Sequence, residues 1–120
     1  MGAWYEAMTI MSKNDKQAQN AIKFMAKQAG GTLSEFKKQI ETTFMYYDPA
    51  DAAAFARSDE LKHTMEYVRQ FCFKQGLFKG ARNVDYVGIQ FPDGDVIGSA
   101  TNVMLRFDAT FMEMAARGEL

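Results

Sequence analysis

The sequence is short of the residues that most often carry chemistry. Its 120 residues include one cysteine, one histidine, one tryptophan and two prolines. The lone Cys72 excludes an intrachain disulfide. One His and one Cys fall well below a structural zinc set, so neither a metal site of that kind nor a cofactor is expected. Neither sign of charge is in excess: 14 Lys and Arg stand against 15 Asp and Glu, for a formal net charge of -1. The longest basic run is the pair Lys37-Lys38. No field of one sign is available to recruit nucleic acid or an anionic membrane surface. No apolar run is long enough for membrane insertion, and no charged-then-apolar leader opens the chain. As written, the chain is expected to remain cytoplasmic.

What is abundant is apolar bulk. Ten Phe, nine Met and five Tyr, within 48% hydrophobic residues, suffice for one core, so residues 1–120 are expected to form a single domain. Helical punctuation dominates residues 1–78. Asn14 or Asp15 can cap a helix carrying Ala18, Ile22, Met25, Ala26 and Ala29, which Gly30-Gly31 stops. Thr32 and Glu35 make a capping box before a stripe of Leu33, Phe36, Ile40 and Phe44. Asp48-Pro49 restarts a short helix to about Arg57. Ser58, Asp59 and Glu60 open a longer one, with Leu61, Met65, Val68 and Cys72 along its stripe, widened by Tyr67 and Phe71. Residues 84–118 change period. Tyr86–Phe91 and Asp95–Ile97 flank the turn Pro92-Asp93-Gly94, which predicts a hairpin. Val103, Leu105 and Phe107 alternate with Met104 and Arg106 in a short strand or extended crossing, and a last helix runs from Thr110 to Arg117. The expected fold is mainly α with a small β-hairpin, an α+β arrangement.

Catalytic patterns are missing. His63 sits among Glu60, Lys62 and Glu66, as on a solvated helix face, and Cys72 falls on an apolar stripe, as a buried, inert thiol would. Asp93-Gly94-Asp95 lacks the other positions of a calcium loop and reads as a turn. No serine lies in a nucleophile elbow, and Gly94 and Gly98 do not make a phosphate loop. The methionines recur at helical spacing, which favours core filling over a metal relay. The chain is not expected to be an enzyme.

Three stretches read together carry a resemblance. They are WYEAM with AIKFMAKQAGGTLSEFKKQIETTFMYYDPADA, then SDELKHTMEYVRQFCFKQGLF, then DYVGIQFPDGDVIG with NVMLRFDATFMEMAARGEL. Their succession resembles the C-terminal part of substrate-binding proteins of ABC importers of the nitrate, taurine and sulfonate type, within the type II periplasmic binding proteins. No single motif among them is as specific as a catalytic signature; their order and spacing make the case. The resemblance implies the C-terminal portion of one lobe of a two-lobed α/β protein, which closes on a small solute and presents it to an ABC permease. It implies a periplasmic or otherwise extracytoplasmic parent, of which this chain would be a fragment or truncated member. Such a piece is expected to bind no solute alone.

Within that resemblance Trp4 and Glu6 are the candidate ligand-binding residues, because they would lie where the chain re-enters the first lobe. The plainer alternative is that Trp4 packs and Glu6 supports the first helical turn. Trp4 is expected to be largely buried, since an exposed indole forgoes ~1.5–3 kcal/mol of apolar burial. Tyr46 and Tyr47, beside Asp48-Pro49, are expected to pin that turn to the core. Uncovered apolar faces predict a homo-oligomer, with Trp4 or the segment Val103–Phe107 at the contact. A different class of function remains open: a small helical protein-interaction module with no small-molecule ligand.

Overall fold

In the computed structural model, which describes residues 1–120, helices start where the sequence supplies a side chain for their free N–H groups. The exception is α1 (Gly2–Ser12), which has no side-chain cap. Asp15 caps α2 (Lys16–Gln28) by accepting from the Ala18 N–H at 2.8 Å. The capping box forms at α3 (Leu33–Glu41). The Thr32 hydroxyl accepts from the Glu35 N–H at 3.2 Å, and the Glu35 carboxylate accepts from the Thr32 N–H at 2.9 Å. Asp48 accepts from the Ala50 N–H at 2.7 Å ahead of α4 (Pro49–Ala56). Ser58 accepts from the Leu61 N–H at 3.1 Å ahead of α5 (Asp59–Lys74). Gly30 and Gly76 stop α2 and α5 in left-handed backbone, at φ +73° and +70°.

One stripe is shorter than its spacing suggests. The Thr42 hydroxyl donates to the Lys38 and Gln39 carbonyls at 3.2 and 3.0 Å, and the Thr43 hydroxyl to the Gln39 carbonyl at 2.8 Å. These bonds satisfy the last carbonyls of α3 and end it at Glu41. Phe44 therefore leaves the stripe of Leu33, Phe36 and Ile40. It stands 82% exposed, edge-on to Tyr46 with ring centroids 4.9 Å apart.

The chain divides into two compact units, Met1–Ala52 with Met112–Leu120, and Ala53–Phe111; the divisions fall inside α4 and α6 (Thr110–Ala116). In the first unit α2 packs against both α1 and α3. Its buried positions are the small residues Ala18 and Ala26, which let neighbouring backbones come close. The core gathers Tyr5 and Met8 of α1 with Ala52, and Met45, Tyr46, Tyr47 and Met112 pack against them. Both tyrosines of the Tyr-Tyr-Asp-Pro turn thus pin it to the core, as their position implies.

The second unit holds α5, a 3-10 turn at Val84–Tyr86, and a three-stranded sheet of β1 (Gly88–Gln90), β2 (Val96–Ile97) and β3 (Val103–Arg106). The hairpin is present but shorter than the sequence suggests, because Tyr86 belongs to the 3-10 turn. β1 and β2 pair antiparallel, Ile89 against Ile97, around a turn in which the Gly94 N–H donates to the Phe91 carbonyl at 2.9 Å. β3 adds a strand parallel to β1, giving the order β2-β1-β3. A side chain at Gly88 would land on the Ser99 carbonyl, so only glycine lets these segments close. Leu61 of α5 meets Ile89 and Phe91 in the core, with Phe55, Met65, Ile97 and Phe107 around them. Phe91 and Phe107 stack at 5.7 Å. The whole is mainly α with a small β part. No helix is long and apolar enough to cross a membrane.

Candidate functional site

Trp4 and Glu6 lie on α1, two positions apart. At 3.6 residues per turn this sets their side chains about 200° apart around the helix, so they do not share a face. The structure does not bring them together. Tyr5, between them, takes the inward register with Met8, and Trp4 is rotated outward. Trp4 is 58% exposed, which overturns the expectation of a buried indole: one apolar face suffices for α1, and Tyr5 occupies it. Glu6 is exposed as well. Burial, with Asp48 nearby, raises the Tyr5 phenol above its ordinary 10.0 and keeps it neutral.

Two charged clusters in the second unit were not singled out from sequence. Arg69 is only 6% exposed, on the inward side of α5 in register with Leu61 and Met65. Its Nε and Nη2 donate to the Glu66 carboxylate at 2.7–2.9 Å. Its Nη1 donates to the Val84 carbonyl at 2.8 Å and to Asp85 at 2.7 Å. Burial works against this charge, but the bonds to Glu66 and Asp85 outweigh it and hold the guanidinium cationic. Glu66 is held below the usual carboxylate range by its bond from Gln70 and then by Arg69. The signal was available, though faint: an arginine at an inward helical register with a glutamate three positions earlier.

Lys62 forms the second cluster. Its ammonium donates to Asp93 and, at 2.7 Å, to Asp95, clasping the hairpin turn to α5. It also lies 5.9 Å from the centre of the Phe91 ring. The bonds to Asp93 and Asp95 raise the Lys62 pKa, and the Lys62 bond lowers that of Asp93. Both cations are engaged within the chain, so each tethers one element to another.

Two grooves of the second unit are small. One on α5 is lined by Tyr67, Gln70, Phe71 and Lys74, with a volume of about 100 Å³. Another, lined by Phe91, Pro92, Arg106, Phe107 and neighbours, measures about 280 Å³. Ligand pockets usually enclose ~300–1,000 Å³, and both grooves lie below that range and open to solvent. No group of three His, Cys, Asp or Glu side chains that could hold a metal occurs. His63 is exposed, and Cys72 is half-buried rather than fully buried. No protein-family model, curated protein or solved structure matches this chain.

Proposed function

We propose that this chain is a non-catalytic portion of the solute-binding component of an ABC importer of the nitrate, taurine and sulfonate type. On this reading it contributes part of one lobe and holds a solute only together with further chain. The resemblance of its three long motifs suggests the class, and one observation carries the reading. β3 pairs in parallel with β1 and forms an outer strand of the sheet, with Met104 71% exposed and Leu105 exposed beside it. Parallel strands normally sit inside larger sheets covered on both faces, so an apolar parallel edge of this kind suits continuation by further structure. The solute would be a small molecule, and its permease a membrane partner of the parent protein. The parent would be extracytoplasmic.

Isothermal titration with nitrate, taurine and alkylsulfonates tests the reading on two proteins: residues 1–120, and the same chain extended by its upstream coding sequence. The short chain is expected to be silent and the extended one to bind. A micromolar isotherm from residues 1–120 alone, or an extended chain that binds none of the panel, overturns it.

The alternative, a helical protein-association module, is favoured by a separate observation: Tyr67, Val68 and Phe71 of α5 are all exposed. Native mass spectrometry separates the two: a small solute retained by the extended chain supports the first reading, and a stoichiometric protein partner on residues 1–120 the second.

A further inference from the structure

The outward face of α5 has an order that its inward face does not explain. Tyr67 is 72% exposed and Phe71 49%, with Val68 exposed beside them. Glu60, Thr64, Tyr67, Phe71 and Lys74 are all exposed and recur at intervals of four, three, four and three, the spacing of a coiled-coil seam. Its centre is aromatic. Its N-terminal end carries an acid, Glu60, and its C-terminal end a base, Lys74, and no side-chain hydrogen bond or ion pair within the chain engages either.

Glu60 and Lys74 stand equally far from Tyr67, seven positions on each side. A two-fold axis at Tyr67, with a second α5 running antiparallel, would set Glu60 of each copy against Lys74 of the other. The two pairs would be about 21 Å apart along the seam. Tyr67 and Phe71 of both copies would fill the middle, out of water. A parallel arrangement would oppose Glu60 to Glu60 and Lys74 to Lys74, which the same charges disfavour. The face is therefore complementary to itself in one orientation, as a two-fold interface requires.

We propose that the outward face of α5 is a homodimer seam, in which two copies of this chain pack antiparallel with Tyr67 at the axis. The contact is at a different place from Trp4 or Val103–Phe107. It rests on α5 alone and does not depend on the solute-binding reading.

Sedimentation equilibrium of the full chain over a wide dilution series tests the proposal, with far-UV circular dichroism confirming that each variant folds. The wild-type chain is expected to dimerise. Lys74→Glu, which sets two acidic pairs across the seam, should weaken the dimer about tenfold, because two ion pairs become two repulsions. Adding Glu60→Lys to that variant should restore it, and Tyr67→Ser should leave a monomer. A wild-type monomer at all concentrations overturns the proposal. So does a dimer insensitive to Lys74→Glu, which would place the contact elsewhere, or a double reversal that fails to recover association. The solute titrations read out separately, so either idea can fail without the other.

Discussion

Helices α2 and α3 are anchored by side chains three positions from the N–H groups they hold, whereas the unit Ala53–Phe111 is tied by Lys62 reaching 31 and 33 positions to Asp93 and Asp95. The first unit gathers its core from modest pieces: Tyr5, Met8 and Ala52, with buried alanines on α2. The second concentrates its core on Leu61, Ile89 and Phe91, residues far apart in sequence, and adds a buried arginine. Local devices form early and cost little chain entropy to close. Long-range ones must offset the ordering of a loop before they contribute. The two units should therefore fail differently when single side chains are removed.

The largest effect should come from Phe91→Ala. Phe91 is buried, stacks on Phe107 and lies beneath the Lys62 ammonium, so truncation leaves a cavity at the meeting point of helix and sheet. A loss of about 3–5 kcal/mol in urea titration is expected. A loss under about 1 kcal/mol would mean that the second unit does not depend on this junction.

Arg69→Met should follow. It keeps most of the packing volume but strands Glu66 and Asp85 and frees the Val84 carbonyl. Both carboxylates reach solvent, which places the cost at about 2–3 kcal/mol, below that of a fully buried pair. Hydrogen exchange should show the change at Val84–Gln90 ahead of α1–α3. Equal loosening of both units would remove the distinction.

Acid should act on the same contacts more gently. Glu66 and Asp93 ionise more readily in the folded chain than at their ordinary 4.5 and 3.8. The unfolded chain therefore binds more protons as pH falls. Their stabilisation is complete above those ordinary values and is lost as pH drops through the depressed ones. Urea midpoints measured from pH 7 down to pH 3 should fall only below about 4.5. A midpoint unchanged at pH 3 would show that the carboxylates contribute nothing.

In the first unit a cap is the corresponding probe. Thr32→Ala removes the hydroxyl half of the capping box and should cost about 1 kcal/mol, with α3 fraying in hydrogen exchange. A cost comparable to that of Phe91→Ala would erase the contrast. Smallest of all should be Trp4→Ala, within about 0.5 kcal/mol, because the indole is exposed. Wild-type tryptophan emission should lie at the long-wavelength position of hydrated indole; a blue-shifted maximum would place Trp4 in a contact, for instance between copies.

Sequence by itself determined the helix boundaries to within a residue or two at Asp15, Thr32, Asp48 and Ser58, because a cap and the N–H it serves lie within one turn. The hairpin turn was legible for the same reason, in Pro92-Asp93-Gly94. Tertiary structure decided which side of each helix faces inward. Trp4 and Tyr5 are adjacent and both aromatic, and only the position of Ala52 and the Tyr46-Tyr47 turn selects Tyr5. Along α5 the apolar residues wrap so far around the helix that periodicity favoured Val68 and Tyr67. The structure instead turns Arg69 inward, because Glu66, Asp85 and the Val84 carbonyl are there to satisfy it. The parallel pairing of β3 with β1 and the Lys62 clasp were equally out of reach. Both join residues whose nearness depends on the path of the chain between them, and no local spacing encodes that path.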